Sequence, residues 1–121
     1  MPVQIRPIRP SDYRPVVSVV DSWWGGRQMA GMLPRLFFEH FTGTSFAAER
    51  DGGLAGFLVG FLSQSRPGEA YIHFVGVHPA ERGSGLGRRL YEHFFAAVQV
   101  ATGYDGDGQD RVRFRKDLAG S

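Results

Sequence analysis

Apolar and polar residues alternate from Val3 to Pro7, the period-two signature of a half-buried strand. Arg9-Pro10-Ser11-Asp12 then opens a helix, with Ser11 or Asp12 as its cap and Val16, Val17, Val19 and Val20 as its apolar face. Trp23-Trp24-Gly25-Gly26-Arg27 breaks that helix. Leu33, Leu36, Phe37 and Phe41 recur at helical spacing and predict a second helix over residues 32–41. Residues 45–50 read as a strand, Asp51-Gly52-Gly53 as a hairpin turn, and residues 54–62 as a longer strand thinned on one side by Gly56 and Gly60. Arg66-Pro67-Gly68-Glu69 makes the next turn, and residues 70–77 the strand after it. A helix over residues 84–100 carries Leu86, Leu90, Phe94, Phe95 and Val98 as its apolar positions. Residues 111–118 close the chain as a strand, with Val112 and Phe114 on one face and Arg111, Arg113 and Arg115 on the other. Three arginines on one face fit a solvated, charge-protected edge strand, or a surface for an anion.

This order of elements predicts an α/β (α+β) fold, a mixed and mostly antiparallel central sheet flanked by helices. No repeat or linker divides the chain, so residues 1–121 read as a single domain. Hydrophobic residues make up 42% of the 121, with ten Phe among them, enough for one core. Lys and Arg number 14 against 12 Asp and Glu, too small a surplus to argue for nucleic acid. The chain has no Cys, which excludes disulfides, thiolate catalysis and cysteine metal sites. Met1-Pro2-Val3-Gln4-Ile5-Arg6 lacks the apolar core of a secretion signal, and no apolar run approaches bilayer length. A cytoplasmic protein with no membrane partner is the expectation.

The candidate chemistry lies in Arg82-Gly83-Ser84-Gly85-Leu86-Gly87, between an apolar strand and a helix. Glycines let the backbone approach a ligand, successive N–H groups converge, and the helix dipole adds positive potential. The guest is a phosphate or pyrophosphate. Arg88-Arg89 stands where a P-loop needs Lys-Ser/Thr, Leu90 stands where the dinucleotide fingerprint needs its third glycine, and Arg82 and Leu86 flank Ser84 where a nucleophile elbow needs glycines. The stretch 102–110 hints at a calcium loop, but Gln109 and Lys116 occupy ligand places, so no metal is expected.

The whole run from Val77-His78-Pro79 through Arg82-Gly83-Ser84-Gly85-Leu86-Gly87 to Arg88-Arg89-Leu90 closely resembles the coenzyme A-binding motif of the acetyl-CoA-dependent N-acetyltransferase (GNAT) superfamily. The Ile-Arg-Pro-x-x-x-x-Asp opening at residues 5–12 is also similar to that family's first strand and helix. The resemblance implies that Arg82, Gly83, Ser84, Gly85, Leu86, Gly87 and Arg88 cradle the pyrophosphate of acetyl-CoA. It further implies that the backbone N–H groups of Val75 and Val77 serve the thioester arm. The expected activity is transfer of an acetyl group to a primary amine of a small molecule or protein. The alternative is a catalytically impaired CoA-binding module of the same fold. A nucleic-acid reader using Arg88, Arg89 and the final strand is the weaker third reading, since base-stacking aromatics are not evident.

The chain departs from the family after residue 100. A full GNAT domain continues there with a strand, a helix and a closing hairpin, and its fourth helix often carries an Asn for CoA and a Tyr that protonates the thiolate. Here one strand remains, and Tyr104 is the only tyrosine of the tail. The strand at 71–77 is therefore expected to present an unpaired apolar edge. Residues 111–118 could cover it within the chain, or a second copy could do so by strand exchange, giving a homodimer.

For the general base, Glu69, Tyr71 and His73 alternate onto one face of the strand before the loop. His73 is the first candidate, because imidazole titrates near neutral pH, and Glu69 is the second. A His that simply packs on the sheet and a Glu that belongs to the turn are the plainer alternatives. His78 reads as structural, and His40 and His93 have no metal-ligand spacing. Trp23 and Trp24 cannot share one helical face, so one of them is expected to line the acceptor cleft.

Overall fold

Two tight turns and one helical crossover dictate the sheet. The computed structural model describes residues 2–102 and, as backbone, 113–116. Strand β1 (Gln4–Pro7) lies antiparallel to β2 (Phe46–Arg50), with Gln4 opposite Glu49 and Pro7 opposite Phe46. Asp51 and Gly52 take φ values of 53° and 79°, the paired left-handed conformation of a type I′ turn, and so β2 folds straight back into β3 (Gly53–Leu62). Pro67 and Gly68 (φ 80°) turn β3 into β4 (Glu69–Val77), with the Glu69 N–H donating to the Arg66 carbonyl at 3.1 Å. Strand β5 (Arg113–Lys116) runs parallel to β4, from Glu69 opposite Arg113 to Ile72 opposite Lys116. A parallel neighbour needs a long crossover, which begins with helix α3 (Leu86–Thr102). The sheet order is therefore β1-β2-β3-β4-β5.

Each face of the sheet is covered. Helices α1 (Tyr13–Trp23) and α2 (Leu36–His40) bury Val16, Val20, Trp23 and Phe38 on Phe57, Val59 and Phe74. Helix α3 buries Leu86, Leu90, Phe94 and Val98 on Ala55, Leu58 and Ile72. Each such side chain contributes about 1.5–3 kcal/mol by leaving water. The helix comes this close because β3 has no side chain at two places. A Cβ at Gly60 would lie 2.7 Å from the Phe94 ring, and one at Gly56 would lie 3.2 Å from Leu86.

Several expectations change. The helix predicted over 32–41 is interrupted: a 3-10 turn occupies Ala30–Met32 and α2 begins only at Leu36. Pro34 is the cause, since the residue before a proline avoids helical backbone, and Leu33 adopts φ −121°, ψ 73°. The register shift exposes Leu36 and buries Phe38 in its place. On α3, Phe95 is 37% exposed while Phe94 takes the core position. Asp12 caps no N–H of α1. Its carboxylate turns back to accept from the Arg9 N–H at 2.7 Å and from both forks of Arg6 at 2.8 Å.

The edge expected to lie bare is paired in part within the chain. β5 lies along Glu69–Ile72, so a strand from a second copy is not needed to cover that stretch. Of the stretch 102–110 weighed as a calcium loop, everything after Thr102, Tyr104 included, lies outside the described residues, as do Arg111 and Val112.

Candidate active site

One irregularity in the β3–β4 pairing sets the geometry of the site. Val59 stands opposite Phe74 and Gly60 opposite Ile72, so β4 carries His73 as an extra residue, a β-bulge. Ser45 stabilises it from β3's other side. Its buried hydroxyl accepts from the Gly60 N–H and donates to the Gly60 carbonyl, both at 3.2 Å, and Thr44 donates to the same carbonyl at 2.7 Å. Beyond the bulge the His78 N–H donates to the Ala55 carbonyl at 2.8 Å. Successive peptide groups in a strand point to opposite sides. Gly76 and Phe74 therefore face β3, and the N–H groups of Val75 and Val77 face the outer edge. β5 stops pairing at Ile72, so among the described residues no strand lies along the outer edge of His73–Val77.

The glycine loop meets this edge. Gly83 and Gly85 take φ values of 85° and 87°, which only glycine adopts without strain, and a Cβ at either would meet nothing within 4 Å. The loop thus presents bare, open backbone. Arg89 makes the first N–H bond of α3, to the Gly85 carbonyl at 3.1 Å. The amides of Leu86, Gly87 and Arg88 precede it and have no acceptor within the helix. Gly87 abuts the edge strand, its Cβ position 3.8 Å from the Val77 side chain. The Leu86 side chain is buried, so that residue offers only its N–H. Ser84 donates its hydroxyl to the Glu81 carbonyl, and Arg88 sits 3.9 Å from Glu92 on the exposed face of α3. Arg82 donates to the Trp23 carbonyl at 2.6 Å, and Arg89 to the Val3 carbonyl at 3.0 Å. Glu81 pairs with Arg50 at 2.6 Å, a hydrogen bond that holds its carboxyl below the usual carboxylate range. The His78 ring accepts from the Ala80 N–H at 3.0 Å and packs edge-on to Trp23, as a structural residue does.

Glu69, Tyr71 and His73 do share a face, the one toward α1 and α2. Nε2 of His73 lies 2.6 Å from the Met32 carbonyl, and its ring stacks on Phe37 at 4.9 Å. Tyr71 stacks on Phe61. Glu69 is buried with Arg66 3.9 Å away, and it lines a cavity of about 280 Å³ with Phe61, Ser63 and Tyr71. Trp23 is buried, while Trp24 is half-buried against Phe74. Asp21 holds the segment that follows α1: its Oδ1 accepts from the N–H groups of Met29 and Ala30 at 2.7 and 2.9 Å. Sequence reasoning passed over Asp21, although an acid in the last turn of a helix opposes the dipole and so signals another task. The bulge at His73 left no signal at all.

The model of the acetyltransferase (GNAT) family matches residues 12–104. The chain is 39% identical over 63 residues to L-2,4-diaminobutyric acid acetyltransferase of Nocardia farcinica, covering 52% of this chain and 33% of that protein. It spans less than half the length of the curated relatives it matches. Among solved structures, a GNAT family acetyltransferase from Brucella melitensis in complex with acetyl-CoA superposes with a TM-score of 0.66 at 23% identity, covering 83% of this chain and 70% of that one. The diaminobutyrate acetyltransferase EctA from Paenibacillus lautus, in complex with L-2,4-diaminobutyric acid and coenzyme A, gives 0.62 at 18% identity, covering 85% and 74%. These likenesses show the fold. No helix among the described residues is long and apolar enough to cross a membrane.

Proposed function

The chain belongs to the acetyltransferase (GNAT) family, and from that premise we propose that it transfers an acetyl group from acetyl-CoA directly to a primary amine of a small molecule. One juxtaposition carries the proposal. The outward N–H groups of Val75 and Val77 continue into the open glycine cradle at the start of α3, where Gly87 meets Val77.

The residues present fit the co-substrate. Left-handed Gly83 and Gly85, with empty space where a side chain would stand, leave backbone that a pyrophosphate can approach. Acetyl-CoA supplies the activated acetyl thioester. The amides of Gly83, Gly85, Leu86, Gly87 and Arg88 hold the phosphates, while the Ser84 N–H is taken by the Glu81 carbonyl, and Arg82 and Arg88 add positive charge. The Val75 N–H polarises the reacting carbonyl, and the Val77 N–H holds the arm as an added strand would be held. The amine enters from the α1–α2 face, because α3 covers the other. Glu69, the second candidate base, stands six residues before Val75, roughly 20 Å along β4, so it reaches the amine's proton only through a chain of waters. The named relatives make a small amino-acid amine the acceptor class to try first. A CoA-binding module without catalysis is the second reading.

Calorimetric titration of acetyl-CoA into the protein and into Gly85→Asp tests the cofactor site. Micromolar binding that disappears in the variant supports it, since Asp adds bulk and negative charge at the cradle. Thiol release over a panel of diamines and diamino acids then separates enzyme from binder. Absence of acetyl-CoA binding by the unaltered protein would reject both readings.

A further inference from the structure

We infer that His73 is a positioning residue that latches the segment between α1 and α2 onto β4, and so sets how an amine meets the reacting edge. This rests on the proposed function for what the segment walls, but not for the latch itself.

The Met32 carbonyl can only accept a hydrogen bond, so Nε2 of His73, 2.6 Å away, must carry a proton. That holds for the neutral ring and the cation alike. The nitrogen facing the segment therefore has no lone pair to give an amine. The ring plane is fixed by Phe37, stacked at 4.9 Å and 13°, with Tyr71 at 6.2 Å on the same face. The bulge explains why a side chain is available here. As the extra residue of β4, His73 shares the α1–α2 face with its neighbour Phe74, which packs on Trp24.

Residues 24–33 need such a hold. Gly25 and Gly26 both lie at positive φ, and Arg27 and Gln28 are exposed. The 3-10 turn Ala30–Met32 has its last N–H bonds from Met32 to Met29 and from Leu33 to Ala30, which leaves the Met32 carbonyl to be met from outside the turn. Asp21 braces the segment to α1, and Arg82 braces its start to the glycine loop. His73 alone of these three joins it to the strand that carries the Val75 N–H. With α3 across the opposite face, this segment is the wall past which an amine must come.

Two variants test the latch. Glutamine at this place can still donate to a carbonyl and does not titrate; alanine can do neither. In His73→Gln, kcat is expected to stay within about threefold, with the pH profile of kcat/KM retained. In His73→Ala, the KM for the amine is expected to rise about tenfold while the KM for acetyl-CoA stays within about twofold. A readout independent of activity is trypsin cleavage after exposed Arg27, measured against cleavage inside α3 after Arg88. His73→Ala should raise the Arg27 cut selectively by about fivefold or more, and His73→Gln should not. Loss of kcat by about a hundredfold in His73→Gln, with the acid limb of the profile gone, would make His73 the base and overturn the inference. Unchanged Arg27 cleavage in His73→Ala would overturn it as well. If the unaltered protein acetylates nothing, the proposed function fails, and proteolysis still decides the latch.

Discussion

Arg82 donates to the carbonyl of Trp23 at 2.6 Å, across 59 residues of chain. The arginine that the glycine motif assigns to a phosphate thus also holds the C-terminal end of α1, where the helix dipole favours a cation. Arg82→Ala is expected to lower stability by about 1.5–3 kcal/mol, the range for a hydrogen bond to a charged group, and to weaken acetyl-CoA binding together with it. Urea unfolding and calorimetry on the same variant check this. Weaker binding at unchanged stability would mean that the Trp23 contact contributes nothing to the fold.

Gly60 and Gly76 are places where a methyl group has nowhere to go. A Cβ at Gly60 would lie 2.7 Å from both the Phe94 ring and the Tyr71 carbonyl, and one at Gly76 would lie 2.5 Å from the Phe57 ring. Gly60→Ala and Gly76→Ala should each cost about 1–3 kcal/mol by overpacking. For a chain of this size the melting temperature should fall by roughly 4 °C per kcal/mol. Melting within a degree of the unaltered protein would refute the tight packing of α3 and Phe57 on the sheet.

The Arg6–Asp12 pair makes stability pH-dependent with a definite sign. Burial pushes the Asp12 carboxyl upward, but the Arg6 hydrogen bond, the Arg9 amide and the two arginine charges outweigh it, so the group ends below the ordinary carboxylate value. The unfolded chain therefore binds a proton at higher pH than the folded one. The contribution is complete above the ordinary carboxylate value and is lost as pH falls through it to the lowered one. Asp12→Asn should cost about 1.5–3 kcal/mol at neutral pH and flatten the acid side of the profile. Denaturation midpoints from neutral pH down to about pH 3, roughly a unit below the ordinary Asp value, check this, and parallel curves for the two proteins would exclude the pair as the source.

Ser45 supports the bulge from the far side of β3. In Ser45→Ala the Gly60 N–H loses its acceptor in a fully buried place, at a cost of about 1–3 kcal/mol. Faster amide exchange at Gly60, with the ends of β2 and β3 unaffected, is the expected signature. Unaltered protection would show that the bulge stands without the hydroxyl.

Much of this was legible in the residues because it is local. Asp51-Gly52 and Pro67-Gly68 specify their turns through their own backbone preferences, and the spacing of Leu86, Leu90, Phe94 and Val98 specifies the buried stripe of α3. Positive φ at Gly83 and Gly85 is likewise what the loop motif demands. Pro34 was legible too, yet the apolar spacing of Leu33, Leu36 and Phe37 outweighed it in the reading; the backbone restriction on Leu33 decides otherwise.

Which elements form, in what order, and where the glycine loop lies follow from neighbours a few residues apart, the break before α2 at Pro34 excepted. The direction in which the peptide groups of β4 point follows from no local pattern. That phase turns on one extra residue, His73, whose bulge exists because Gly60, Ser45 and Phe94 meet there from distant parts of the chain. The same holds for the bonds from His73 to Met32 and from Arg82 to Trp23. A side chain's partner across 41 or 59 residues is fixed by packing, which no local pattern encodes.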